Sequence, residues 1–253
     1  MTYNIAYYTD IGLRENQEDS LFVNGLTVRQ DMMKCARIES VTAPGVFFAV
    51  CDGMGGHAGG EWASSFVCGK MKDFMKGLSF SDEYVLNMFR EIQREMEKEG
   101  MENSGSTAAC VMLKGNTSKI YNIGDSRVYK ITKKEILTLS HDHSLVQSMV
   151  DKGELSGHEA KGHPYRHIIE FGLGDVFKRQ WNTNDKKVYM QDDVLNAKEY
   201  YLLCTDGVND VLRDAEIYDL LSPDPFGRFP EFIGCLRKRM KDNTSFIVVG
   251  KEG

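Results

Sequence analysis

The chain has 253 residues, with 31 basic and 37 acidic side chains for a formal charge of −6. That length can bury a core without disulfide staples, and a mix of 42% hydrophobic and 27% charged residues is that of an ordinary globular chain. Mild acidity argues against a nucleic-acid binder held by phosphate contacts, and apolar runs such as Val46–Cys51 fall far short of the roughly 20 residues of a membrane helix.

Taken in order, the first strand-like runs are Asn4–Thr9 and Leu21–Val23. The interval 25–44, with the charged stretch Arg29–Glu39 inside it, predicts a surface loop or hairpin. Val46–Cys51 has a buried-strand pattern that ends at Asp52. From Glu61 onward Trp62, Phe66, Val67, Met71, Phe74 and Met75 recur on one helical face, and Glu61 suits the helix dipole. Ser81 predicts the cap of a second helix, carrying Val85, Met88, Phe89, Ile92 and Met96 and stopped by Gly100. Ser106–Leu113, Lys119–Ile123 and Arg127–Ile131 then follow closely, with turn residues between them, as in a meander. Ser144 predicts a short third helix ending at Lys152-Gly153. The strand Tyr200–Thr205, a fourth helix marked by Phe229, Phe232, Ile233, Leu236 and Met240, and the strand Ser245–Gly250 complete the set. Long helices beside consecutive strands suggest antiparallel sheets covered by helix layers. With no repeat or linker and only five prolines, one compact domain over 1–253 is the simplest organisation.

Several chemistries are absent from the text of the chain. The six cysteines include no Cys-x-x-Cys pair, and none is followed by arginine six residues later, so zinc-ribbon and cysteine-phosphatase motifs are missing. Several of the six sit inside apolar runs, as Cys110 and Cys204 do, and the set reads as buried reduced thiols of a cytosolic protein. No P-loop occurs. No basic-then-apolar leader opens the chain, so no secretory signal is evident and a cytoplasmic location is expected.

The informative feature is where the acids fall. Asp52 and Asp206 end strand-like runs, Asp125 sits in a Gly-Asp-Ser turn, Asp242 precedes the last strand, and Glu18-Asp19 precede Leu21–Val23. Asp210 lies one helical turn beyond Asp206. A single acid in such a loop is most simply a solvated turn residue. Repetition at strand ends suggests convergence at one edge of stacked sheets. Like charges about 4 Å apart repel by roughly 4 kcal/mol per pair at an effective dielectric near 20. A cluster of this kind calls for cations, and oxygen-only donors select Mg²⁺ or Mn²⁺ over zinc. Glycines beside Asp52 would let the Gly53 carbonyl approach an ion.

Seven motifs in order carry a resemblance. They are Thr9-Asp10-x-Gly12-x-Arg14-x-Asn16-x-Glu18-Asp19, Asp52-Gly53-Met54-Gly55-Gly56-His57 with Gly60-Glu61 and Ala63-Ser64, Gly105-Ser106-Thr107-Ala108, Ile123-Gly124-Asp125-Ser126-Arg127, Asp142-His143-Ser144-Leu145-Val146, Cys204-Thr205-Asp206-Gly207 and Asp242-Asn243-Thr244. Together they resemble the bacterial form of the metal-dependent serine/threonine protein phosphatases of the PPM (PP2C-like) type. The resemblance implies an α+β fold, a four-layer α-β-β-α sandwich of two mainly antiparallel sheets flanked by helices. It implies Mn²⁺ or Mg²⁺ as cofactor, two core ions with a third more weakly held. Asp52 would bridge the two, with the Gly53 carbonyl on the second, and Asp206 and Asp242 would complete the first. Asp125, with help from Asp206, would bind the third ion, near Asp210. Glu18 and Asp19 would hold metal-bound waters, and Arg14 would grip the substrate phosphate, a task suited to its planar fork. The implied reaction is direct attack by metal-bound water on phosphoserine or phosphothreonine of protein substrates of a serine/threonine kinase. The protein would act as a monomer, away from nucleic acid and membrane.

The chain departs from the family in two places. Met54 stands where some members have a proposed general-acid histidine, which leaves that acid unassigned. His57 reads as a loop residue, and His141-Asp142-His143 as the lead into a helix rather than a zinc pair. The flap, about 153–174, reads His163-Pro164-Tyr165-Arg166-His167 where members usually carry asparagine and a threonine-arginine pair. That change motivates the alternative reading, a phosphatase-like binding or regulatory module with little turnover.

Overall fold

A computed structural model describes residues 1–55, 59–183 and 187–252. Its strands are β1 (Thr2–Asp10), β2 (Asp19–Val23), β3 (Leu26–Val28), β4 (Arg37–Thr42), β5 (Val46–Met54), β6 (Gly105–Ser106), β7 (Ala108–Lys114), β8 (Thr117–Ile123), β9 (Arg127–Ile131), β10 (Ile136–Thr138), β11 (Tyr189–Val194), β12 (Tyr200–Cys204) and β13 (Thr244–Lys251). The helices are α1 (Gly59–Phe74), α2 (Asp82–Glu99), α3 (Leu145–Asp151), α4 (Gly157–Lys161), α5 (Lys178–Thr183), α6 (Asp206–Asn209), α7 (Asp214–Leu221) and α8 (Phe229–Arg237). One sheet runs β10-β9-β12-β13-β1-β4, the other β11-β8-β7-β5-β2-β3 with β6 on β5, and the pairings are antiparallel.

Side-chain alternation builds the layers. Along β5, Val46, Phe48 and Val50 join the core shared with the other sheet, whereas Phe47, Ala49 and Cys51 face α1 and α2. A strand buried on both faces has to be apolar throughout, which is why Val46–Cys51 has no polar alternation. On the far side, Phe246 of β13 meets the rings of Tyr8, Phe229 and Phe232, so α8 covers the first sheet. The result is the four-layer α-β-β-α sandwich. Caps fall where the polar residues predict them: Ser81 Oγ accepts from the Tyr84 amide, Gly100 adopts a left-handed φ of 69°, and Ser144 Oγ accepts from the Gln147 amide. Among the described residues no helix is long and apolar enough to cross a membrane.

Four expectations change. Asp52 lies inside β5, because β6 extends the pairing past it through Gly53↔Ser106 and Met54↔Gly105. The expected strand Ser106–Leu113 is interrupted at Thr107, whose hydroxyl turns to accept from the Asp52 amide at 2.9 Å. The interval 25–44 is no hairpin; β3 pairs with β2 in one sheet and β4 with β1 in the other, so the segment crosses the edge of the sandwich. Cys51, Cys68, Cys110 and Cys204 are buried, but Cys35 is exposed because it lies in this crossing segment.

Residues 153–174, aligned with the flap, are fastened over their C-terminal part, 168–173. The Leu145 amide donates to the Ile168 carbonyl at 2.9 Å and the Glu170 amide to the His143 carbonyl at 2.8 Å. Ser106 and Leu173 exchange both backbone hydrogen bonds at 2.8 Å. Ahead of these contacts α4 carries a capping box from Ser156 and Glu159.

If the α8 layer is held by the aromatic cluster, Phe246→Ala removes its centre. The expected loss is about 3–5 kcal/mol in chemical denaturation. A loss below about 1 kcal/mol would contradict this packing.

Candidate metal centre

The two sheets bring their acids to one edge. Asp19 starts β2 directly opposite Asp52 in β5. Like charges facing each other across neighbouring strands destabilise a sheet, so the register itself makes a strained carboxylate pair. Asp206 opens α6 after β12, Asp242 stands two residues before β13, and Asp125 occupies the turn between β8 and β9. The Asp206 carboxyl reaches that of Asp52 within hydrogen-bonding range.

The electrostatics record this convergence. Burial, followed by the charges of Asp19, Asp206, Asp125 and Asp242, drives the Asp52 carboxyl far above the ordinary range. Burial and then Asp210 and Asp242 push Asp206 up to about 7. Asp19 also rises to about 7, chiefly through burial, against hydrogen bonds from Ser245 and Thr205 that lower it. Asp125 rises through burial and then Asp206 and Asp142. Protein groups do not neutralise such a cluster on their own.

Donor chemistry fits hard divalent ions. Asp19 Oδ1 and Asp125 Oδ1 are buried with no hydrogen-bond partner, a costly arrangement unless something else satisfies them. Asp52, Asp206, Asp242, Asp19, Asp125 and the Gly53 carbonyl offer oxygen only, the donor set of Mg²⁺ and Mn²⁺.

Neighbouring residues fix these acids. Thr107 accepts from the Asp52 amide, donates its own amide to the Asp52 carbonyl at 2.8 Å, and shares a hydroxyl hydrogen bond with Ser126 at 2.7 Å. Thr205 donates to Asp19 Oδ2 at 2.8 Å, which ties the first sheet to the second. Asn243 accepts from the Glu18 amide at 2.7 Å and donates to the Ile11 and Asn16 carbonyls at 3.0 Å. That one side chain pins the 11–18 loop to the start of β13. A Cβ at Gly53 would lie 2.0 Å from the Gly60 carbonyl oxygen, so the approach of α1 to β5 requires glycine there.

The remaining expected site residues sit around this rim. Glu18 packs against Gly60, which a Cβ would bring 2.5 Å from Glu18 Oε1. Arg14 donates to Asp242 Oδ2 at 2.5 Å, with a side chain 56% exposed. Asp210 caps α6, beside Asp206. All the acids named from sequence therefore share one edge with Arg14. His57 lies outside the described residues. His141-Asp142-His143 forms no metal group: Asp142 grips Arg127 through both oxygens, His143 accepts from the Gly124 amide, and His141 pairs with Asp151. Sequence reasoning missed Arg166 and His167, which lie 3.8 Å and 3.6 Å from Asp210 Oδ2. Only the departure of the flap from the usual family text pointed to them.

Residues 24–241 match the family described as Protein phosphatase 2C. The serine/threonine protein phosphatase PstP of Mycobacterium tuberculosis is 32% identical over 191 residues, 72% of this chain and 35% of that protein. The chain thus aligns with about a third of that relative's length. The crystal structure of serine/threonine phosphatase Stp1 from Staphylococcus aureus superposes with a TM-score of 0.79 at 27% identity, covering 98% of this chain and 95% of that one. The catalytic domain of PstP in complex with two manganese ions superposes with a TM-score of 0.75 at 25% identity, covering 99% of each chain. This chain belongs to the protein phosphatase 2C family.

Mutual repulsion gives a test that needs no catalysis. In EDTA near pH 8, Asp52→Asn should melt higher than wild type by roughly 2–4 °C, the equivalent of about 1 kcal/mol at this size. An unchanged or lower melting temperature would mean that the cluster carries no stored repulsion.

Proposed function

We propose that this chain is one catalytic domain, 1–253, of a metal-dependent protein serine/threonine phosphatase. The reading is carried by the meeting of Asp19, Asp52, Asp125, Asp206 and Asp242 at one edge, with two buried carboxylate oxygens lacking any protein partner. Asp52, Asp206, Asp242 and the Gly53 carbonyl would hold a pair of Mn²⁺ or Mg²⁺ ions, and Asp125 with Asp206 would contribute to a third. Such a pair would supply an acidified water as nucleophile and neutralise charge on a phosphoryl group.

The chain's own groups do the rest. Asp19 and Glu18 would orient ordered water by accepting hydrogen bonds from it. Thr205 keeps Asp19 aimed by occupying its second oxygen. Arg14 is long, exposed and anchored at its tip to Asp242. Released from Asp242, the guanidinium would donate two parallel hydrogen bonds to a phosphate dianion. Phosphate monoesters hydrolyse extremely slowly unaided, so charge stabilisation of this kind dominates the chemistry. Met54 offers no proton to the leaving alkoxide, so the residue at this position is not the general acid. Substrates would be phosphoserine and phosphothreonine proteins in the cytoplasm, made by a serine/threonine kinase, and the enzyme would work as a monomer without nucleic acid or membrane.

Hydrolysis of p-nitrophenyl phosphate should require Mn²⁺ or Mg²⁺ and stop in EDTA. Asp206→Asn should lower kcat by at least about 10²-fold, the scale of a lost electrostatic group. Metal-independent turnover, or turnover that survives this change, would refute the reading. Capture of phosphopeptides without phosphate release under saturating Mn²⁺ would instead favour a binding or regulatory module. Arg14→Ala should raise KM for a phosphopeptide roughly 10-fold or more, as expected for lost charged hydrogen bonds, while Mn²⁺ still raises the melting temperature. An unchanged KM would remove Arg14 from phosphate binding.

A further inference from the structure

A cavity of about 430 Å³ lies between α8 and the crossing segment that leads into β4, and no acid of the metal edge lines it. Its walls include Ile38, Phe226 and Ile233, and its cations are Lys34 and Arg237. That volume falls within the roughly 300–1,000 Å³ of small-molecule sites, which join apolar walls to a few polar groups.

Gly234 accounts for the open space. It lies inside α8 and on the cavity wall, with nothing within 4 Å of the position a Cβ would take. Glycine inside a helix is destabilising relative to alanine, and close packing does not demand it here. What its missing side chain provides is room on the cavity wall.

The charges narrow the ligand. Arg237 Nε donates to the Tyr8 hydroxyl at 3.0 Å and to Asp10 Oδ2 at 3.2 Å, and Nη2 donates to the Met33 carbonyl at 2.6 Å. A guanidinium fixed in this way loses little freedom when it binds a further group. With Nε and Nη2 engaged, Arg237 no longer offers the parallel fork that suits a phosphate. Its Nη1 makes no hydrogen bond among the described residues, and Lys34 enters no ion pair among them. Asp10 offsets the charge of Arg237, so Lys34 leaves the cavity net positive. One donor on Arg237 and the Lys34 ammonium can serve the two oxygens of a carboxylate.

We propose that this cavity binds a small anionic amphiphile, an aliphatic carboxylate whose head meets Arg237 Nη1 and Lys34 and whose apolar body lies against Ile38, Phe226 and Ile233. The inference does not depend on the metal edge, and its test uses no turnover.

Calorimetric titration of the full chain with sodium octanoate is the test, with octanol and octyltrimethylammonium as probes of equal chain length. Octanoate should bind saturably, one per chain. It should also protect Cys35, an exposed thiol on the cavity wall, from alkylation by N-ethylmaleimide. Octanol should bind at least about 10-fold more weakly, because the charged hydrogen bonds are lost, and the cation should not bind. Gly234→Leu should fill the space and weaken octanoate at least about 10-fold, while the melting temperature stays level or rises. Lys34→Gln, a change at an exposed side chain, should weaken octanoate roughly two- to fivefold and leave octanol unchanged. Equal affinity for octanoate and octanol, no saturable binding, or unchanged octanoate affinity in either variant would overturn the site. So would sedimentation of the free chain as a dimer that Gly234→Leu dissociates, since the cavity would then belong to a second copy.

Discussion

The structure is organised around an unfavourable contact: Asp19 and Asp52 face each other across paired strands, with Asp206, Asp242 and Asp125 close enough to raise the charge further. At an effective dielectric near 20, each such pair at about 4 Å repels by roughly 4 kcal/mol. A fold of ordinary stability, some 5–15 kcal/mol, cannot hold several of these charged contacts without compensation. Protonation supplies it in the isolated chain, which is why the carboxyls titrate so high. A bound cation would supply it instead, and would reverse the titration logic by keeping the same carboxylates charged.

The surrounding scaffold acts to keep those acids from separating. Thr205 and Ser245 link β12 to β13 and hand a hydroxyl across to Asp19, so the two sheets are joined through the site as well as through the apolar core. Asn243 closes the 11–18 loop over the start of β13, and Gly12 allows it, since a Cβ there would lie 2.3 Å from the Asp242 carbonyl oxygen and its φ is +64°. Thr205, Ser245 and Asn243 have their polar side-chain atoms engaged by neighbouring backbone or side-chain groups. They are positioning groups, and their hydrogen bonds fix where charge accumulates.

Much of this was legible in the sequence because strand and helix cores leave strong patterns. Val46–Cys51, the stripe along α1 and the Ser81 and Gly100 caps on α2 each follow from burial or backbone geometry that a short window contains. The convergence of the acids was an inference from their repetition at strand ends. What stayed hidden was set by partners far along the chain. Arg37–Thr42 is half exposed and charged, so only its pairing with β1 makes it a strand. Tyr189–Val194 lies at a sheet edge and carries Gln191, Asp192 and Asp193 in succession, so its pattern resembles a loop. Thr107 breaks one strand into two for a hydrogen bond to a residue 55 positions away.

The same distinction separates the metal edge from the flap. Asp19 and Asp52 are placed by strand register, and Asp206, Asp125 and Asp242 by the short connections at strand ends, so their geometry tolerates little change and their spacing can be read from motif order. His167 and Arg166 ride on a segment with exposed side chains, held by a few backbone hydrogen bonds at Leu145 and His143. Such a segment can exchange residues without disturbing the core, as loops on a rigid scaffold do. Variation here can therefore alter which substrate the edge accepts while leaving the fold intact. Departure from a familiar motif in this stretch is thus better evidence of a changed specificity than of a lost activity, because the groups that would perform the chemistry lie in elements the change does not touch.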